Sequence, residues 1–270
     1  MHTQEKIPAI STARYVAGTS RPTIASWHAY YAAKRAMDLI IASGLLICLS
    51  PIMLLVGLAI FIYSPGPIFF MQERIGARRR INGNKIYWEP VTFHCFKFRT
   101  MKVNADSSIH REYIKALIEN NHEQMQAVQN AATRPRGHAT RERLIAIQNA
   151  MTRPRKLVED ARVIAPGKLL RKFSLDELPQ LLNVVRGDMS MVGPRPAIPY
   201  EVEMYKPWHK QRLQAQPGIT GLQQVTARCT TDFDEQVKLD IKYIENQSLW
   251  LDLTIAFKTP LAIIKAKGAQ

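Results

Sequence analysis

The sequence predicts a mostly helical α+β protein that joins an N-terminal membrane helix to a small domain of helices and short strands. Residues 39–63 carry no charged side chain, and an apolar run of about 20 residues suffices to span a bilayer. Residues 68–72 and 86–99 have the composition of two strands joined at a turn. Downstream of residue 170, several segments show the capping or apolar patterns of helices.

The bulk composition favours a polyanionic partner. The 270 residues carry a formal net charge of +15, which suits an anionic membrane surface, a phosphorylated substrate or nucleic acid. No helix-turn-helix, zinc or RNA-binding signature occurs, so we do not expect nucleic acid as a partner. Cys48, Cys95 and Cys229 lack disulfide or metal-ligand spacing, which favours a reducing compartment. No cleavable signal peptide is evident.

The N-terminal region divides into three segments. Residues 1–26 are polar, contain Pro and Gly, and are expected to form a mobile tail. Residues 27–38 combine aromatic and cationic side chains in a short helix suited to a membrane–water interface. Residues 39–63 follow as the membrane segment, with Ser50 and Pro51 at the centre, where proline kinks a helix. Both flanks are basic, which leaves two interpretations open: a simple span, or a hairpin that returns to the same face.

The next region is expected to form a hairpin and an insertion. Residues 68–72 and 86–99 would pair through a turn at 82–84. Strand alternation places Lys97 and Arg99 on one face, where they could meet a diphosphate or simply be half exposed. Residues 104–159 form a polar, mostly helical insertion in which AVQNAATRPR (127–136) recurs as AIQNAMTRPR (146–155). We assign this local duplication no chemistry.

Two adjacent carboxylates, Asp176 and Glu177, mark the most informative stretch. Ser174 and Glu177 have the spacing of a capping box, so a helix is expected to begin at Ser174. A carboxylate in a first helical turn is held ionised, and the same turn favours a phosphate. Arg171 and Arg195 flank the pair, which suits chemistry on a phosphate. The simpler alternative is that the pair only caps a helix.

The C-terminal third contains four further predicted elements: a helix over 198–213, a turn-rich loop over 217–221, an extended segment over 222–228 and an amphipathic helix over 232–246. His209, beside Trp208, is expected to be a packed residue rather than a catalyst. The last segment, 249–267, is apolar with spaced lysines and a proline. It fits either a helix lying in a membrane interface or a terminal helix packed on the core.

These residues together resemble a known family. The ordered motifs are Lys34-Arg35 with Asp38, Gly66-Pro67-Ile68-Phe69-Phe70, Lys97-Phe98-Arg99-Thr100-Met101, Ser174-Leu175-Asp176-Glu177-Leu178-Pro179-Gln180, Gly187-Asp188-Met189-Ser190, Val192-Gly193-Pro194-Arg195-Pro196 and Pro217-Gly218-Ile219-Thr220-Gly221. They resemble the bacterial sugar transferases, the monotopic polyprenyl-phosphate phosphoglycosyl transferases, in their short form. The resemblance covers most of residues 34–267 apart from the insertions.

The resemblance implies a topology and a location. Ser50 and Pro51 would lie at the apex of a re-entrant membrane helix over 27–66, with both ends cytoplasmic. Residues 67–270 would form a cytoplasmic phosphoglycosyl transferase domain with 104–159 as a variable insertion. Inner-membrane lipids become expected partners at the cytoplasmic face of a bacterial inner membrane, and a homo-oligomer is left open.

The resemblance also implies a reaction. A UDP-sugar would be the donor, polyprenyl (undecaprenyl) phosphate the acceptor and Mg²⁺ the cofactor. Asp176 would be the nucleophile that forms a covalent phosphosugar intermediate and releases UMP. Glu177 would act as metal ligand, base or cap, and Asp176 could share the metal. The implied substrate contacts are Lys97, Arg99, Arg171, Arg195 and Arg228. The product would begin a surface polysaccharide.

Two departures from the family pattern keep a rival interpretation open. Asp160-Ala161-Arg162 replaces the usual Asp-Pro-Arg, and the segment 223–228 lacks the usual Trp and Gly. Sugar or nucleotide contacts in the second segment are therefore in doubt. A catalytically inactive scaffold of a glycan assembly complex, or a membrane-anchored nucleic-acid-binding protein, remains the alternative function.

Overall fold

The computed structural model describes residues 24–82, 85–103, 108–119, 121, 123–125, 127–128, 163–226 and 232–265. The predicted tail up to residue 23, nearly all of the duplicated segment and Arg228 lie outside these residues. The helices are α1 Ile24–Tyr63, α2 Ser108–Ile118, α3 Ala165–Lys172, α4 Gln180–Arg186, α5 Pro199–Glu203, α6 Leu222–Thr226, α7 Phe233–Glu245 and α8 Leu249–Lys265. The strands are β1 Phe69–Asn82, β2 Lys85–Phe98, β3 Ser190–Val192 and β4 Gly218–Thr220. This confirms a mostly helical α+β fold with small sheets.

Helix α1 is continuous through the predicted short helix and the apolar segment. Its 40 residues correspond to about 60 Å at about 1.5 Å per residue. Within the described ranges it is the one helix long and apolar enough to cross a membrane by length and composition. Pro51 lies inside it, and the Ser50 hydroxyl donates to the carbonyl oxygen of Ile47 at 2.8 Å. A serine bonded in this way satisfies a carbonyl near the proline.

Both ends of α1 pack against the same domain. Near its start, the Lys34 ammonium lies 2.9 Å from the Asp252 carboxylate of α8 and 3.0 Å from the carbonyl oxygen of Val192. Near its end, Val56 and Ile60 are buried against Phe98 and against residues of α3. Between these ends the helix exposes large apolar side chains, including Ile47, Leu54, Leu55 and Leu58.

The predicted hairpin is confirmed, and β1 is longer than expected. The strands pair antiparallel from Phe69↔Phe98 to Asn82↔Lys85. The pattern indicated only 68–72 because residues 77–80 read Ala-Arg-Arg-Arg, a poor strand composition. Ile75 and Ala77 are nevertheless buried, and the main-chain amide of Ile75 donates to the carbonyl oxygen of Ala197 at 2.8 Å. Tertiary packing therefore extends the strand.

Over the described residues, up to 226, the predicted loop at 217–221 and the predicted extended segment at 222–228 are wrong. Residues Gly218–Thr220 form β4, parallel to β3, and Leu222–Thr226 is helical. The main-chain amides of Gly193 and Gly218 donate to the carbonyl oxygens of Thr220 and Pro194, each at 2.9 Å. A Cβ atom on either glycine would overlap main-chain atoms of the other segment. The glycines therefore serve a close crossing of two distant segments, which local turn composition does not reveal.

The C-terminal elements correct one prediction and confirm two others. The expected helix over 198–213 is split into α5 and a 3₁₀ turn, His209–Leu213, because Pro207 lies between them. His209 is fully buried as a packed residue, as expected. The amphipathic helix α7 is confirmed. Helix α8 packs on the core through Ile255, as one alternative predicted, and leaves Trp250 80% exposed. Its location in a membrane interface stays a prediction.

Candidate active site

The segment that carries the two carboxylates does not form the predicted capping box. Ser174 is in the left-handed conformation (φ 56°) and makes no side-chain cap, whereas an N-cap residue is typically extended. A 3₁₀ turn spans Leu175–Glu177, and α4 begins only at Gln180. Pro179 has no amide hydrogen to donate, so it is tolerated at the start of a helix but not in its interior. Helix α4 accordingly begins at the next residue. Glu177 therefore does not cap a helix.

Lys97 of β2 faces the carboxylate pair. Its ammonium lies 3.0 Å from the carboxylate of Glu177, and both side chains remain partly exposed. Asp176 precedes Glu177 in the same turn and is also half buried. The structure thus brings together three predicted site residues, one cation and two carboxylates, at a place that solvent reaches.

A buried arginine reinforces the positive side of this site. Arg74 of β1 donates to the carbonyl oxygen of Pro196 at 2.9 Å and to the amide oxygen of Gln72 at 2.6 Å. Burial and then the positive charge of Arg195 lower the pKa of Arg74, while the carboxylate of Glu201 and, more weakly, that of Glu177 act in the opposite direction. Arg74 therefore interacts electrostatically with one residue of the dyad, Glu177. The sequence motifs include Arg74 but gave it no role in the site, because the predicted strand ended at residue 72.

Burial also raises the pKa of the neighbouring Cys95 thiol, and Lys97 and Arg74 partly offset that rise. The thiol is almost fully buried. Cys95 therefore belongs to the wall of the site as a neutral side chain, since a thiol needs its thiolate form to react as a nucleophile.

The remaining predicted substrate contacts are placed differently. The guanidinium of Arg171 donates to the Thr100 hydroxyl at 3.0 Å on the α3 side of the turn. The guanidinium of Arg99 is buried and donates to the main-chain carbonyl oxygens of Ser64 and Pro65, just after α1. Arg99 thus ties the end of α1 to β2, and its role toward substrate stays a prediction. Arg228 lies outside the described residues.

Asn183 positions the helix that follows the dyad. Its fully buried side chain accepts from the amide of Phe96 at 3.0 Å and donates to the carbonyl oxygen of His94 at 2.8 Å. It also reaches the carboxylate of Asp188 at 3.3 Å. Because these bonds join α4 to β2, they hold the dyad turn against the strand that carries Lys97. The sequence signal that could have indicated this role is a polar residue, Asn183, among apolar residues of a short helix.

The carboxylate pair is compatible with Mg²⁺. In the part of the chain that the structure describes, no group of three or more His, Cys, Asp or Glu side chains could share a metal ion. Protein-bound Mg²⁺ commonly takes one or two carboxylates and completes its shell with water and substrate phosphates. Asp176 and Glu177 would form a ligand set of that size.

Comparison with known proteins identifies the family. The family model for bacterial sugar transferases matches residues 29–266. The chain belongs to the bacterial sugar transferase family. This confirms the resemblance drawn from the motifs, and the match includes α1, the hairpin, the dyad turn and α8.

Relatives of this sugar transferase include proteins with described roles. An exopolysaccharide production protein, ExoY, of Sinorhizobium fredii is 38% identical over 236 residues, 87% of each chain. The protein with the same name from Rhizobium meliloti is 35% identical over 237 residues, 88% of each chain. An undecaprenyl-phosphate galactose phosphotransferase of Salmonella typhimurium is 34% identical over 236 residues, which cover 87% of this chain and 41% of that protein.

Proposed function

We propose that this sugar transferase moves a sugar 1-phosphate from a UDP-sugar to polyprenyl phosphate and so begins a surface polysaccharide. The observation that carries the proposal is the Asp176–Glu177 turn set against Lys97 in a chain that matches the family from residue 29 to residue 266. The names of the relatives, which include an undecaprenyl-phosphate galactose phosphotransferase and two exopolysaccharide production proteins, support the acceptor and the pathway class.

The proposed reaction has two displacements at one phosphorus atom. A carboxylate oxygen of Asp176 attacks the phosphate that bears the sugar, and the bond to the bridging oxygen breaks so that UMP leaves with the electron pair. A phosphate oxygen of polyprenyl phosphate then attacks the phosphosugar–aspartate, and the Asp176 carboxylate is released. Dividing the transfer in this way replaces one difficult displacement by two easier ones.

Positive charge near the dyad fits this chemistry, because an anion must approach an anionic diphosphate. Lys97 supplies one such charge, and its contact with Glu177 keeps its ammonium beside the turn. Arg74 of β1 adds a second charge, which interacts with Glu177. Mg²⁺ held by Asp176 and Glu177 would neutralise further charge on the phosphates.

We infer further that α1 is re-entrant, with Ser50 and Pro51 at its apex and both ends at the cytoplasmic face of a bacterial inner membrane. The contacts of Lys34 and of Ile60 support this, because a straight span would separate the two ends by a bilayer and both contact one domain. The exposed apolar side chains between these ends, and those of Trp250 and Phe257 on α8, would face lipid.

Replacement of the nucleophile tests the reaction. Asp176→Asn is expected to reduce UMP release from a panel of UDP-sugars by on the order of 10³-fold or more, with unchanged thermal unfolding. Asp232→Asn, an exposed carboxylate at the start of α7, is the matched control and should retain activity. Wild-type turnover in Asp176→Asn would rule out the nucleophile, and no UMP release by the unmodified protein with any UDP-sugar would favour the inactive scaffold.

Cysteine labelling tests the topology. Single cysteines at Tyr30 and Phe70, in a background without other cysteines, are expected to react with a membrane-impermeant reagent from the same side of inverted vesicles. Reaction from opposite sides would show that α1 spans the membrane. The outcome does not depend on transferase activity, so the topology and the reaction are tested separately.

A further inference from the structure

A cavity of about 260 Å³ lies between the first part of α1 and the β1–β2 hairpin. It is separate from the contact between Lys97 and Glu177, since none of the dyad residues lines it. Its walls come from α1, from the half of the hairpin nearer its tip, and from Gly187, Asp188 and Gln216. Nothing in the proposed reaction uses this cavity.

The cavity lining is rich in cations. The charged groups are Lys34, Arg35, Arg78, Arg79, Asp38 and Asp188. Lys34 is already paired with Asp252, and Arg35 donates to the carbonyl oxygens of Val184 and Val185 at 2.6 and 2.9 Å. Both carboxylates accept hydrogen bonds from the protein, Asp38 from the amide of Met191 and Asp188 from Asn183. Arg78 and Arg79 are the remaining cations of the lining.

Arg79 has an unused donor in the cavity wall. Its guanidinium stacks on the ring of Tyr31, with 4.4 Å between the guanidinium carbon and the ring centroid. Tyr31 in turn contacts Trp88 edge to face, with 5.7 Å between centroids. One terminal nitrogen of Arg79 is buried and has no hydrogen-bond partner within the described residues. An unpaired buried donor is costly, so an acceptor oxygen that reached this nitrogen from the cavity would be favoured.

The position of the cavity along α1 indicates where that acceptor comes from. Tyr31 and Asp38 both line it and are separated by about 10 Å along the helix axis. The uncharged run begins at the next residue, Leu39. The headgroup layer on each side of a bilayer is about 5 to 8 Å thick. A cavity beside residues 31–38 therefore lies at the depth of lipid phosphates if the run is in the membrane.

We propose that this cavity binds the phosphate of an anionic phospholipid headgroup, with Arg79 as the phosphate contact. Arginine donates two parallel hydrogen bonds to phosphate oxygens, and stacking on Tyr31 holds its plane in place. A cavity of about 260 Å³ has room for a phosphate with a short polar group such as glycerol. The inference rests on the membrane placement proposed above.

A soluble short-chain lipid tests the site directly. Dihexanoyl-phosphatidylglycerol is titrated into the full chain in a neutral detergent, and native mass spectrometry counts the bound lipid. One lipid per protein is expected, with dihexanoyl-phosphatidylcholine binding more weakly. Arg79→Gln should weaken binding roughly tenfold, as expected for loss of a charge-assisted hydrogen bond.

Two further variants keep the test specific. Arg80→Gln is the matched control, because Arg80 follows on the same strand but pairs with Glu89 at 2.7 Å on an exposed face. It should bind lipid as the parent protein does. Val91→Phe fills the cavity and keeps every charge, so it should weaken binding even if Arg79→Gln folds poorly.

Each result that would contradict the proposal excludes a different part of it. Equal losses in Arg79→Gln and Arg80→Gln would show a diffuse charged surface and overturn the site. Displacement of the lipid by inorganic phosphate or UMP at comparable concentration would assign the cavity to a soluble phosphate and overturn the lipid. Failure of the unmodified protein to float with phosphatidylcholine–phosphatidylglycerol vesicles would contradict the membrane placement itself. Flotation without one-to-one binding would leave that placement standing and remove the cavity proposal.

Discussion

Lys34→Met should destabilise the protein far more than loss of a surface ion pair. The side chains of Lys34 and Asp252 are 7% and 0% exposed, and their charged atoms lie 2.9 Å apart. Removing the ammonium leaves the Asp252 carboxylate buried with only the hydroxyls of Tyr30 and Tyr243 as donors, at 3.0 and 2.6 Å. Breaking a buried pair in this way costs about 3–5 kcal/mol.

The expected shift in melting temperature is large enough to measure in detergent. At about 2–4 °C for each kcal/mol, a loss of 3–5 kcal/mol lowers the midpoint by roughly 6 to 20 °C. Thermal unfolding followed by tryptophan fluorescence reports it. The control is Glu89→Gln, which removes the exposed partner of Arg80 (46% and 42% exposed) and should cost less than about 1 kcal/mol.

A double-mutant cycle separates the pair from its surroundings. Lys34→Met combined with Asp252→Asn should cost clearly less than the sum of the two single changes, since neither charge is then left alone. Burial and the Asp252 carboxylate raise the pKa of Tyr243, so its hydroxyl keeps its proton and remains a donor throughout. A shift for Lys34→Met no larger than that of Glu89→Gln would refute the anchoring role of this ion pair.

Three further predictions concern the site and the core. Asn183→Ala should reduce UMP release and lower the melting temperature, because each polar group of β2 left unpaired costs about 1–3 kcal/mol. The control is Asn246→Ala at an exposed position, which should change neither quantity. Gly218→Ala should destabilise through overlap with the crossing main chain, whereas Gly44→Ala, which has open space around it, should not, and thermal unfolding compares the two. Burial lowers the pKa of His209 from 6.5, so its unfolded state binds more protons and stability should fall below about pH 6.5. His209→Gln should remove that slope between pH 7.5 and 5.5, and an unchanged slope would show that another group titrates.

The geometry around His209 supports the sign of that pH dependence. Its Nδ1 accepts from the amide of Lys206 at 3.2 Å, which requires an unprotonated nitrogen, and its Nε2 lies 3.0 Å from the Asp234 carboxylate. The charged groups that act on the ring are Asp234, Lys206 and Arg212. The neutral ring is therefore the form that the fold accommodates.

Local patterns in the sequence were sufficient to predict several structural elements. The absence of charge over 39–63 predicts a membrane helix because transfer free energy depends on composition, and α1 contains this run without interruption. Strand-type composition on both sides of a turn predicts the hairpin because pairing partners are neighbours in sequence. Asp176 and Glu177 could be proposed as a site because they are adjacent and belong to an ordered set of motifs.

Other features depend on contacts between distant residues and could not be predicted from local pattern. The capping box at Ser174 failed because a left-handed residue and Pro179 decide where α4 begins. β4 forms because Gly218 can lie against the main chain of Gly193. Sequence rules for turns consider only neighbouring residues, so they do not predict this contact.

The sequence by itself determined a long apolar helix, a hairpin and a carboxylate pair, because each depends on residues close together in the chain. Only the tertiary structure decided that Lys34 pairs with Asp252, that Lys97 faces Glu177, and that Arg79 lines a cavity beside α1. The physical reason is that burial and electrostatic pairing depend on distances in space, and the folded chain brings together groups that are far apart in sequence.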